Sequence, residues 1–334
     1  MQPDAEQIII LENGLSICPL QENVEDLIVT RLYRDFNSYL RELFGCRVQK
    51  ITLDAGLTCP NRDGSLGHGG CIYCNPRGSG TGANAGRKSL AGQLESAKFR
   101  LKKRYKAKKF LAYFQSYSNT YAPLPVLQAL YTEALAVPDV VGLCIGTRPD
   151  CVSNEVLDYL RELSADNLIW LEYGLQSAKD RTLERINRQH TADQFAAAVV
   201  RTKERGLPVC AHVILGLPGE TRQDMLDTAR FLARMQVEAV KIHLLYVVRG
   251  TSLHGLYRRG SYRCLEQEEY CALAGDFLSL LPAEVIIQRL TGDPHPEELV
   301  APAWALEKQN NLRGIQDYML QNNLVQGARH ADPT

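Results

Sequence analysis

The stretch RVQKITLDAGLTCPNRDGSLGHGGCIYCN, residues 47–75, decides how the rest of the chain is read. Residues 47–56 carry Val48, Ile51 and Leu53 and stop at Asp-Ala-Gly, the pattern of a β-strand that ends in a loop. That loop, rich in Gly, Pro, Asn and Asp, holds Cys59, Cys71 and Cys74. Cys71 and Cys74 form C-x2-C with Tyr73 between them, and Cys59 lies eleven intervening residues upstream. Inert cysteines pack into strands and helices, so three thiols in a polar loop point to ligands. Two ligand readings stand. His68 with the three cysteines completes a Cys3His zinc tetrahedron, or the three thiolates hold an iron–sulfur cluster with one coordination position left open.

Outward from this loop, strands and helices alternate. Ser89 predicts the start of a helix with Leu90, Leu94, Ala97 and Leu101 on one face. Strands follow at 109–116, 140–147, 168–177, 208–216 and 238–248. Helices fall between them at 125–136, 153–163 and 191–205, and Thr221 with Asp224 forms a capping pair for another. Such alternation predicts an α/β fold with a parallel sheet, a partial (β/α)6 TIM-like barrel or an open sheet. The expected organisation is an N-terminal helical extension (1–45), a core (46–250), a small C-terminal α/β cap (251–325) and a disordered tail (326–334). The cap contains a helix at 266–281, a strand at 284–289 and a terminal helix at 304–323.

In parallel barrels the active site lies at the C-terminal strand ends. Beside the cysteines, those ends carry Gln115, Ser116 and Asn119, then Thr147, Arg148 and Asp150. Next come Glu172 and Gln176, the run Gly216-Leu217-Pro218-Gly219-Glu220, and His243, Tyr246 and Arg249. Tyr246, Tyr117, Asp150 and His295 are candidates for catalysis by position alone.

Composition narrows the class further. The chain has 334 residues, 45% hydrophobic and 23% charged, with 38 basic and 38 acidic residues, so net charge points to no partner. The N-terminus lacks a signal-peptide pattern, and no segment has the ~20 apolar residues of a membrane span. A cytoplasmic protein is expected, in which thiols stay reduced. Cys144 and Cys210 sit in apolar strands as core residues; Cys18, Cys46, Cys151, Cys264 and Cys271 lack ligand spacing.

The motifs GGCIYCN, IGTRPDCV (145–152), LEYGLQS (171–177), LERINRQHT (183–191) and HVILGLPGET (212–221) occur in order at these strands. Together they resemble the radical S-adenosylmethionine (SAM) domain of the Elongator catalytic subunit. YFQSYSNTYAP (113–123), KIHLLYVVRGT (241–251) and the long cysteine loop resemble a related bacterial radical SAM family without the acetyltransferase domain. The similarity spans about residues 30–320, and the C-x11-C-x2-C spacing departs from the superfamily's usual C-x3-C-x2-C.

The resemblance implies that Cys59, Cys71 and Cys74 hold three irons of a [4Fe–4S] cluster whose fourth iron chelates SAM. It places Tyr73 near adenine and Gln115 with Ser116 where the family has Gly-Gly-Glu for the methionine amino group. Glu172 and Gln176 then face the ribose and methionine, and Val213–Gly216, with Ile214 and Gly216, packs on adenine. It implies a tRNA wobble-uridine side chain as substrate and an electron donor such as flavodoxin or ferredoxin. The run KFRLKKRYKAKK (98–109), eight basic residues without an acid and preceded by Arg87 and Lys88, is the candidate tRNA contact. Arg258, Arg259 and Arg263 add to it if the C-terminal region folds alongside. The alternatives are a radical SAM enzyme acting on a small metabolite or protein, and a zinc-stabilised RNA-binding module without catalysis.

Overall fold

The computed structural model describes residues 32–76, 78 and 88–330; Cys18 and Arg87 lie outside them. Six strands follow the predicted order: β1 (Val48–Leu53), β2 (Lys109–Phe114), β3 (Val140–Thr147), β4 (Leu168–Gln176), β5 (Val209–Leu215) and β6 (Ala239–Leu244). The predicted sixth strand is shorter than 238–248, because residues 247–248 leave the sheet as β7 and pair antiparallel with β9 (Leu299–Ala301).

The seventh strand corrects the expected division into core and cap. β8 (Ile286–Arg289) pairs parallel with β6, giving the sheet order β1-β2-β3-β4-β5-β6-β8. The sheet is a seven-stranded half-barrel, and residues 251–325 build its last strand and outer cover rather than a separate cap. The tail expectation is corrected for residues 326–330, while 331–334 lie outside the described residues. Gln326 is buried, donating to Pro282 O and Val285 O (both 2.7 Å), and Arg329 reaches the buried Asp276 at 2.6 Å.

Strand alternation sorts side chains onto two faces. Outward residues such as Phe110, Phe114, Leu143, Leu171, Tyr173, Val213 and Ile242 pack under the helices. These helices are α2 (Leu90–Tyr105), α3 (Leu124–Leu135), α4 (Asn154–Leu163), α6 (Ala192–Lys203), α7 (Arg222–Met235), α9 (Gln267–Ser279) and α10 (Lys308–Gln321). Ser89 caps α2, and Thr221 with Asp224 forms the predicted box on α7. The short α5 (Asp180–Arg185) has no counterpart among the predicted helices.

The inward face is built in layers. At the bottom, Val48, Leu111, Cys144, Trp170, Cys210 and Ala239 pack against Phe36 and Leu40 of α1 (Phe36–Phe44). Asp35 caps α1 by accepting from Asn37 N and Ser38 N, and left-handed Gly45 closes it. Each apolar side chain that this plug buries contributes roughly 1.5–3 kcal/mol. Above it lies a charged layer, and above that the mouth. Among the described residues no helix is long and apolar enough to cross a membrane.

Candidate active site

Above the plug, Glu172 of β4 points inward and is fully buried. Its carboxylate meets Lys50 Nζ of β1 at 2.6 Å, Lys241 of β6, and His212 Nε2 of β5 at 2.9 Å. Burial alone would raise this carboxyl, but the two lysines and the histidine hold it well below the usual range. Both ammonium groups also sit over the Tyr113 ring, at 5.0 and 4.0 Å. His212 is pushed down to about 4 by burial and by Lys241, and His243, its ring centroid 5.2 Å away and tilted by 40°, also falls well below the usual range through burial. This floor is two lysines and one carboxylate with neutral imidazoles.

The floor gives Glu172 a structural role beside the one expected for it. Its oxygens bond to Lys50, His212 and Lys241, so it ties three other strands to β4 at the base of the cavity. Lys50 and Lys241 escaped the sequence reading, although each is a charge inside an apolar strand, the signal that singled out Glu172.

Over the floor opens a cavity of about 470 Å³. Cys59, Cys71, Cys74, Tyr73, Gln115, Gln176 and Ile214 all line it, as do Glu172, Thr147, Arg148, His243, Tyr246, Tyr117 and His295. Ser116, Asn119, Asp150 and Arg249 do not. Ser116 is buried away from the cavity, and Asp150 is bidentate with Arg148 at 2.9 and 2.7 Å. Gly216 lies behind the wall: its N–H reaches Met225 Sδ and its carbonyl accepts from Tyr262. Sequence alternation would have separated inward Ile214 from its neighbours; a uniform assignment of Val213–Gly216 did not.

The cysteine loop is braced from both sides. Arg62 donates to Cys74 O (2.9 Å) and Asn75 O (2.6 Å). Gly70, at φ +78, lets that guanidinium pass: a Cβ there would meet Arg62 Nε at 2.8 Å. Across the cavity the segment after α5 clasps the loop, with Asn187 donating to Gly70 O (2.9 Å) and Ile72 N–H to Ile186 O (3.1 Å). Asn61 Nδ2 and Arg188 Nη1 each lie 3.7 Å from Cys71 Sγ. α8 (Ser252–Arg258) seals the outside, Leu253 N–H bonding Ile72 O at 2.8 Å.

The donor set fits a cluster better than a single ion. Zinc needs its four ligands around one point. Among the described residues no three His, Cys, Asp or Glu side chains are grouped for a single metal ion. His68 does not line the cavity; its ring packs over Gly64, where a Cβ would meet it at 2.8 Å. A cubane distributes its thiolates over separate irons, so it needs three thiols around a volume, with N–H donors toward the sulfurs. Here Asn61 and Arg188 supply such donors, and the cavity-lining Ser118 Oγ and His243 Nε2 are buried without partners.

The basic run lies elsewhere. α2 packs outside β1 and runs back along it, and Lys108 N–H bonds Arg47 O (3.0 Å) at the start of that strand. A six-residue strand spans about 20 Å, so the basic end of α2 sits at the pole opposite the mouth. Lys98 is buried, bonding Pro138 O at 2.6 Å, and Lys102 pairs with Asp139 at 2.9 Å. Arg258 and Arg259 end α8, whose Leu253 bonds the cysteine loop, and Arg263 pairs with Glu266 and Glu269.

Comparison with known proteins agrees with this geometry. Residues 62–232 match the model of the radical SAM superfamily, and residues 237–321 that of the radical SAM C-terminal domain. YtqA of Bacillus subtilis is 40% identical over 295 residues, covering 88% of this chain and 92% of that protein. A tRNA uridine(34) acetyltransferase of Methanocaldococcus jannaschii is 30% identical over 156 residues, 46% of this chain and 28% of that enzyme. The solved Methanocaldococcus infernus Elp3 superposes with a TM-score of 0.65 at 18% identity, over 84% of this chain and 64% of that one.

Proposed function

This chain belongs to the radical SAM superfamily, whose enzymes use a [4Fe–4S] cluster and S-adenosylmethionine, and on that premise we propose that it modifies the wobble uridine of a tRNA. The supporting observation is its 30% identity, over 156 residues or 46% of the chain, to an archaeal enzyme named for uridine 34 of tRNA. Cys59, Cys71 and Cys74 would hold the cluster, and Tyr73, Gln115, Gln176 and Ile214 line the space for SAM. When bound, the two supply one-electron reductive cleavage of SAM to a 5′-deoxyadenosyl radical that takes hydrogen from the substrate.

The chain's own residues set the conditions for that chemistry. Arg62 and Asn187 hold the cysteine loop against the strand ends. Tyr73, Ile72, Ile186, Ile214, Leu217 and Leu245 form an apolar wall that excludes water from the cluster side. The Lys50–Glu172–Lys241 floor fixes the spacing of β1, β4 and β6 beneath the reacting groups. A one-electron donor of the flavodoxin or ferredoxin class would supply the electron.

For RNA contact, the exposed residues beside the mouth are better situated than the run 98–109. Arg258 and Arg259 end the helix that sits on the cysteine loop, Tyr257 beside them is 37% exposed, and Arg249 closes β7. Phosphate contacts there and a base stacked on Tyr257 would bring an anticodon to the cavity.

The test is a nucleoside inventory of total tRNA from cells with and without the protein. Loss of one wobble-uridine derivative and gain of its precursor is expected. An unchanged inventory would refute the tRNA reading in favour of a small metabolite or a protein.

A further inference from the structure

The segment Asn187-Arg188-Gln189-His190 supplies no cluster ligand, yet it is tightly braced, and Arg188 lines the cavity beside Cys71. We infer that Arg188 is a positioning residue that raises the reduction potential of the cluster by bonding to the Cys71 sulfur. The inference rests on the proposed ligand assignment.

Arg188 is buried, 8% exposed. Its guanidinium donates to Cys71 Sγ (3.7 Å), to Gly174 O (2.8 Å) and to His190 Nε2 (2.9 Å). None of these is a carboxylate. Arg148, the neighbouring buried arginine, has Asp150 for its charge. A guanidinium cannot shed its proton, and a buried cation without a counter-charge is costly. The negative group that Arg188 meets is therefore cysteine sulfur.

The surroundings hold it there. Gly174 must lack a side chain, because a Cβ would stand 2.5 Å from Arg188 Nη2. Asn187 and Gln189 adopt left-handed backbone, φ 55 and 61, which non-glycine residues keep only where surrounding structure enforces it. Arg148 enforces it by donating to Arg188 O (2.8 Å) and Gln189 O (3.1 Å). His190 accepts at Nε2, with Nδ1 bonded to Thr191 O at 3.2 Å. A planar fork reaching three acceptors at once is a geometry that lysine cannot reproduce.

Reduction adds negative charge to a thiolate-bound cluster. A fixed cation with an N–H directed at one sulfur stabilises the reduced state more than the oxidised one, so the potential rises. Removing the donor should therefore make the cluster harder to reduce without removing any ligand.

The experiment uses the full chain, reconstituted anaerobically as wild type, Arg188→Lys and Arg188→Gln. Iron and sulfide are counted, and midpoint potentials are taken by redox titration followed by electron paramagnetic resonance, without SAM or substrate. Arg188→Gln should lower the reduced-to-oxidised ratio at fixed potential about tenfold, about 59 mV for one electron. Arg188→Lys should lower it about threefold, since charge remains but the fork is lost. Potentials equal to wild type in fully loaded variants would overturn the inference. If Arg188→Gln does not load, an unchanged potential in loaded Arg188→Lys overturns it alone. Failure of the ligand assignment reads differently: Cys71→Ala would then bind a full cluster.

Discussion

Replacing Glu172 by glutamine keeps its shape and removes the only carboxylate of the barrel floor's charged cluster. Lys50 and Lys241 then remain on opposite sides of an uncharged amide, the latter only 5% exposed. Each ion pair has a gross Coulomb energy of about 4 kcal/mol at 4 Å separation and an effective dielectric of 20, against which desolvation acts. Breaking a buried pair typically costs about 3–5 kcal/mol, and that is the loss expected for Glu172→Gln. Lys241→Met should cost less, about 2 kcal/mol, because Glu172 keeps Lys50 at 2.6 Å and His212 at 2.9 Å. The double variant should cost less than the sum, with a coupling of about 2–3 kcal/mol. Anaerobic urea unfolding reads this as midpoint shifts at unchanged slope, with Trp170 in the layer below as a fluorescence reporter. A loss under about 1 kcal/mol for Glu172→Gln, or strict additivity, would refute the account of the floor.

Other outcomes follow from groups away from the floor. Gln326→Ala removes the donor to Pro282 O and Val285 O and should destabilise the protein by about 2–4 kcal/mol, measured by the same unfolding; a neutral result would mean the tail is not docked. Glu220 is pushed up to about 7 by burial, which outweighs the bonds from Ser177 and Thr182. A carboxyl whose folded pKa is raised contributes stability that is present below about pH 4.5 and lost as pH rises through 7. Glu220→Gln should therefore gain on wild type between pH 5 and 8 by on the order of 2 kcal/mol; parallel profiles for the two proteins would contradict this. Substitution of Arg258 and Arg259 by alanine should weaken tRNA binding and flatten its salt dependence, whereas removing Lys103 and Arg104 should change neither.

How much of this was legible in the sequence depended on whether a signal was local. Six strands, the cap of α2 and the box on α7 were readable because periodicity and capping act within a few residues. The seventh strand was read as a strand but assigned to a cap, since four residues after a long helix do not say which edge they join. Charge composition marks 98–109 as a candidate nucleic-acid contact or a solvated helix face, and does not say which pole of a barrel a helix end occupies. The cysteines were legible as ligands from their loop. Arg188, Lys50 and Lys241 were not, because their roles depend on partners up to 238 residues away, as between Lys50 and Gln288, brought together only by sheet register.

The proposed function requires three thiolates with one coordination position kept for S-adenosylmethionine. Its most direct test is 5′-deoxyadenosine formation after reduction of the anaerobically reconstituted protein with SAM, in wild type and in four single alanine variants. Wild type and His68→Ala should bind iron with acid-labile sulfide and release 5′-deoxyadenosine. Cys59→Ala, Cys71→Ala and Cys74→Ala should release none. A colourless zinc protein that needs His68, or 5′-deoxyadenosine from any of the cysteine variants, would contradict the central claim.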